Sequence, residues 1–152
     1  MVEEWFECKV KYEKTMESGL IKKVTEPYLV DAYSFTEAEK RFIAEIQPFM
    51  KGKDFQVSDI KRARYGEIIE TSEETADRWF KVKISFLFTD EKSGKEKHTF
   101  QNLLVQAFDL RDAVRRLDAA MKGTVVDYEI NSVAETVIMD VFHHNDIREK
   151  QS

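Results

Sequence analysis

Trp5-Phe6-Glu7-Cys8-Lys9-Val10 and Trp79-Phe80-Lys81-Val82-Lys83-Ile84 open two stretches of the chain with nearly the same text. In each, a Trp-Phe pair leads an alternation of apolar and charged residues, the pattern of a strand with one buried face and one solvated face. Both stretches then meet a turn of similar composition, Glu17-Ser18-Gly19 and Lys92-Ser93-Gly94. Glycine there admits the positive φ that a hairpin connection needs.

A second extended run follows each turn and ends in matched residues, Tyr28-Leu29-Val30-Asp31-Ala32-Tyr33-Ser34 beside Leu103-Leu104-Val105-Gln106-Ala107-Phe108-Asp109. Ser34 and Asp109 are good helix N-caps, and Glu37 and Asp112 stand three residues later, close to a capping box. Phe35, Ala38, Phe42, Ile46 and Phe49 then recur at helical spacing, as do Leu110, Ala113, Val114, Leu117 and Met121. Pro48 and Gly123 mark the helix ends. A closing stretch follows, in which Phe55, Val57, Ile60 and Ile68 match Tyr128, Ile130, Val133 and Val141, and the β-branched run Val133 to Phe142 reads as the clearer strand.

The fold expected is α+β: two diverged strand-strand-helix-strand repeats, residues 5–70 and 79–142, joined by the polar connector 71–78 and followed by a polar tail, residues 145–152. One helix over three strands is thin for independent stability. The repeats are therefore expected to pack pseudosymmetrically into a single compact domain, residues 1–152, with about six mainly antiparallel strands and two helices. Of the 152 residues, 42% are hydrophobic and 12% aromatic, which is ample for a core.

A formal net charge of -5 disfavours an electrostatic grip on phosphate backbones. The single cysteine, Cys8, excludes an intramolecular disulfide and reads as a packed thiol. No apolar run approaches the roughly 18 residues of a membrane span, and the start of the chain lacks a basic segment followed by an apolar one, so a cytoplasmic protein is expected.

Catalytic signatures are missing from the text. The histidines are His98, His143 and His144, and neighbours on a strand point to opposite faces, so surface histidines are expected rather than a metal site. Five scattered glycines offer no phosphate-cradling loop, and no cofactor is expected. Glu37 with Arg41, and Asp112 with Arg116, have the spacing of ion pairs on solvated helix faces. Arg111, Arg115 and Arg116 interleave with Asp112 and Asp118 and read the same way.

The candidate ligand contacts are Arg62, Arg64, Trp5 and Trp79. Within Lys61-Arg62-Ala63-Arg64-Tyr65, strand alternation would place Arg62 and Arg64 on one face, able to bind an anion. The second copy has Glu135 and Val137 there, so the pair is not part of the shared scaffold. A solvated or oligomer-contacting strand is the preferred plain reading. Tryptophan offers a stacking face for planar ligands, although the matched positions of Trp5 and Trp79 favour packing at the start of each repeat.

Trp5-Phe6 with Lys9-Val10, Val24-Thr25-Glu26-Pro27-Tyr28-Leu29-Val30-Asp31-Ala32 and Ser34-Phe35-Thr36-Glu37-Ala38-Glu39 resemble a "domain of unknown function" family of small proteins from gut bacteria and their phages or mobile elements. The resemblance implies a cytosolic accessory protein and brings no catalytic residue. The function expected is a noncatalytic accessory binding protein that captures a partner protein or a small anionic, nucleotide-like ligand and can form a homo-oligomer. The alternative is a nucleic-acid-associated factor that binds single strands through a sheet face.

Overall fold

The computed structural model describes residues 3–144, and in it the Trp5 text becomes β1 (Glu4–Thr15). Phe6, Cys8 and Val10 are buried on one face of that strand, and the residues between them line the other. The tight turn at Gly19, φ 87°, returns the chain as β2 (Ile21–Ala32), antiparallel to β1 with Phe6 opposite Val30. Ser34 Oγ accepts from the Glu37 amide at 3.1 Å and starts α1 (Phe35–Met50). The helix tolerates Pro48 in its last turn and stops at Lys51, φ 49°. β3 (Phe55–Ala63) then pairs antiparallel with β1, with a register shift between Lys9 and Val10.

The second text follows the same order. β5 (Arg78–Thr89) and β6 (Glu96–Ala107) form a hairpin through Gly94, φ 68°. Asp109 caps α2 (Leu110–Ala120), and β7 (Tyr128–Glu135) pairs with β5, again with a register shift, between Lys83 and Ile84.

Two short strands complete the sheets. β4 (Glu67–Ile69) comes after β3 in the chain yet pairs parallel with β6, and β8 (Val141–Phe142) comes after β7 yet pairs parallel with β2. The sheets are thus β3-β1-β2-β8 and β4-β6-β5-β7. Among the described residues the fold is α+β, with two helices and eight mostly antiparallel strands, where about six strands were expected.

The extra strands arise because each closing stretch breaks in two. The run from Val133 to Phe142 is not one strand. Thr136 donates through its amide to the Trp79 carbonyl at 2.8 Å, and the chain then leaves this sheet. The Met139 amide donates to Pro27 O at 2.8 Å and Asp140 O accepts from the Leu29 amide at 3.0 Å, which seats β8 on β2.

The chain accordingly divides into two compact units, one ending at Arg64 and resuming at Val137, the other running Tyr65–Thr136. These boundaries depart from 5–70 and 79–142 because β4 and β8 each join the sheet of the other stretch. The tail, residues 145–152, lies outside the described residues.

Each unit has a core between its sheet and its helix. Phe6, Cys8, Val10, Tyr28, Val30, Phe42, Ile46 and Phe142 cluster in the first, and Phe80, Val82, Ile84, Leu103, Val105, Ala113 and Leu117 in the second. Burial of one such large side chain stabilises by about 1.5–3 kcal/mol. In α1 the buried face differs from the expected one: Arg41 and Met50 are inside, while Phe35 and Phe49 are exposed.

Candidate functional site

In the first unit the β1–β2 hairpin runs on beyond the start of β3, and a concavity of about 540 Å³ opens there. Lys11, Lys23, Lys53, Glu13, Asp54 and Gln56 are among its lining. Lys11, Glu13 and Lys23 reach it by alternation, since they stand on the sheet face opposite α1, with Glu13 directly across from Lys23. Lysines held in ion pairs among the described residues are others: Lys14 with Glu26, Lys61 with Glu7 and Lys97 with Asp90. The concavity therefore holds three cations against two carboxylates, and it falls within the size range of small-ligand sites.

Nearer α1 lies a buried polar cluster that alternation and helical spacing did not predict. Arg41, 8% exposed, donates through Nη1 to Asp31 Oδ1 at 2.6 Å, not to Glu37 one turn before it. Asp31 Oδ1 also accepts from the His144 amide at 2.7 Å, and Oδ2 lies 3.9 Å from His143 Nδ1. His143 and His144 thus sit beside Asp31, partly buried, where surface positions were expected, whereas His98 is exposed. Nε and Nη2 of Arg41, Oε1 of Glu37 and Nδ1 of His144 are buried and have no hydrogen-bond partner among the described residues.

The second unit satisfies the matching positions. Arg116 donates from Nε to Asp112 Oδ2 at 2.7 Å and from Nη2 to Glu73. Asp112, only 2% exposed, also accepts from the Phe108 amide at 3.1 Å and from Arg115. Burial alone would raise the Asp112 carboxyl, but the bonds from Arg116, the Phe108 amide and Arg115 outweigh it and hold it below the usual carboxylate range. The Asp112–Arg116 pair is consequently buried, not a solvated helix face. Gln106, matching Asp31, donates to Ala76 O and accepts from the Thr71 amide, each at 3.0 Å.

Of the four residues singled out from the sequence, Trp5, Arg62 and Arg64 lie in the first unit, with Trp5 opposite Ala63, and Trp79 lies in the second. Arg62 is exposed, pairs with Glu4 at 3.0 Å and lies 5.3 Å from the centre of the Phe35 ring. Arg64 is exposed but stands beyond the end of β3 at Ala63, so strand alternation does not place it on the face of Arg62. Trp5 is half-buried and meets His143 edge-on at 5.0 Å. Trp79 is only 3% exposed, which leaves its ring no open face.

A different aromatic is open. Phe100, 59% exposed on β6, carries Lys83 Nζ 4.9 Å above its ring and His98 stacked at 6.4 Å. Sequence reasoning passed over it because nothing at the matched position of the first unit, Thr25, signals an aromatic.

Among the described residues no group of three or more His, Cys, Asp or Glu side chains could hold a metal ion, and no helix is long and apolar enough to cross a membrane. The model of a family described as a domain of unknown function, DUF4494, matches residues 4–144. No curated protein matches the chain.

Proposed function

The chain belongs to the DUF4494 family, a domain of unknown function, and we propose that it is a noncatalytic binding protein whose ligand is a small, nucleotide-like anion. The observation that carries this reading is the concavity in the first unit, lined by Lys11, Lys23 and Lys53, none of which is in an ion pair among the described residues. Lysine ammonium groups grip phosphate as point charges. Gln56 and the exposed Ile21 beside them offer a hydrogen bond and an apolar edge to the remainder of such a ligand.

Titration calorimetry with ADP and with inorganic phosphate tests the proposal. Saturable binding of ADP that Lys11→Glu with Lys23→Glu reduces by roughly tenfold or more is the expected result. Absence of heat with either probe defeats it, and turnover of a nucleotide would defeat its noncatalytic part.

A second reading, single-strand binding by a sheet face, is favoured by the cation-flanked ring of Phe100. It expects a labelled oligonucleotide to bind at low salt and to be released by Phe100→Ala. No shift at low salt removes it.

The accessory role in a phage or mobile element, and a cytoplasmic site of action, rest on the resemblance of the Val24–Ala32 and Ser34–Glu39 segments. Duplication followed by divergence is supported by the common element order of the units, hairpin, capped helix and returning strand, with a register shift at equivalent points of β1 and β5.

A further inference from the structure

We propose that Arg41 is the anchor of a second ligand site, separate from the lysine-lined concavity, that takes a small carboxylic acid. A guanidinium offers its Nε and Nη2 hydrogens side by side along one edge, the spacing of the two oxygens of a carboxylate. In Arg41 that edge is buried and, among the described residues, unpartnered, because Asp31 takes Nη1 instead. Buried donors left unbonded are rare, and a charged one is costly to leave so.

The equivalent side chain of the second unit shows what this edge accepts. In Arg116, Nε goes to Asp112 and Nη2 to Glu73, so both positions are filled by carboxylate oxygens. At Arg41 the residue one helical turn earlier is Glu37, whose Oε1 is itself buried and unpartnered. That oxygen needs a donor, not another acceptor. The chemistry that answers both is a carboxylate with a hydroxyl or amine close by, as in a hydroxy acid or an amino acid. The Asp31 carboxylate, fixed by Arg41 and by the His144 amide, keeps the guanidinium in place without an incoming ligand.

The test is a titration of the full chain with malate, and separately with inorganic phosphate, followed through the Arg41 Nε–H resonance and the midpoint of thermal unfolding. Malate is expected to shift that resonance saturably and to raise the midpoint; a guanidinium edge also accepts phosphate, and an equal response to phosphate overturns the assignment to a carboxylic acid. Arg41→Lys, which keeps the charge and loses the edge, is expected to fold and to lose the response to malate. An unmoved Arg41 resonance in malate overturns the proposal.

Discussion

The amide of Asp112 donates to Oδ1 of Asp109 at 2.8 Å, while Oδ2 of Asp112 accepts from the Phe108 amide just before the cap. The two aspartates close the start of α2 reciprocally, and Asp112 holds Arg116 as well. Asp109→Ala is expected to lower stability by about 1 kcal/mol, the ordinary cost of an N-cap. Asp112→Ala removes the partner of a nearly buried guanidinium and is expected to cost about 3 kcal/mol. Because the residues share one network, the double variant should lose less than the two together, as measured by urea denaturation.

Asp112 also sets an acid limit. Its carboxyl is lower in the folded chain than the unfolded value of about 3.9, so the folded state binds the proton less well. The stability it contributes is complete above that value and is lost as pH falls toward the folded one. Denaturation midpoints measured at steps below pH of about 4 should drop more steeply in the wild-type protein than in Asp112→Asn.

Cys8 should be inert in the native protein. Burial, then the neighbouring Glu7, push its thiol up to about 12, and the side chain is 0% exposed between sheet and helix. Only the thiolate attacks a disulfide reagent. Labelling by such a reagent at pH 8 is expected to proceed at the rate of opening of the first unit. Fast labelling of the folded protein would contradict this packing.

Loss of β8 should be felt far away in sequence. A chain ending at Thr136 lacks Asp140 and Met139, which bond Leu29 and Pro27, and lacks Phe142 of the first core. Hydrogen exchange at Leu29 is expected to accelerate strongly, while amides of β5 and β6 keep their protection. Equal acceleration in both sheets would argue against the assignment.

Gly66 lies against the side chain of Gln101. A Cβ there would meet Gln101 Nε2, the far end of a flexible side chain that can turn aside, and the Gly66 amide is fixed to Asn102 O at 2.8 Å. Gly66→Ala is therefore expected to change stability by no more than about 0.5 kcal/mol in urea denaturation, the ordinary range of an exposed position. A loss of several kcal/mol, recovered by Gln101→Ala in a double-mutant cycle, would show instead that the Gln101 side chain cannot move.

The parts of the fold that carry local signals were legible in the text. Alternation located β1 and β5, glycines located the hairpins, and Ser34 and Asp109 located the helix starts. The strands β4 and β8 were not legible as partners of β6 and β2, because parallel pairing over two or three residues leaves no period to read. Sites fared worse for a related reason. Helical spacing offered Glu37 to Arg41, but Asp31 reaches it from β2 across the fold, a contact without a sequence offset to betray it. Trp79 and Arg62 looked available because burial and ion pairing are decided by other strands.

Glu74 lies exposed between β4 and β5. A protease cutting there would leave two pieces, each carrying the final strand of the other's sheet and lacking its own. Held together, the pieces cover the outer side of β2 at Leu29 and Val30 and that of β6 at Leu103, Leu104 and Val105; parted, each would show these amides and carbonyls bare, ready to recruit a second chain. Nicked halves that part should therefore associate with further copies more readily than halves that remain in company.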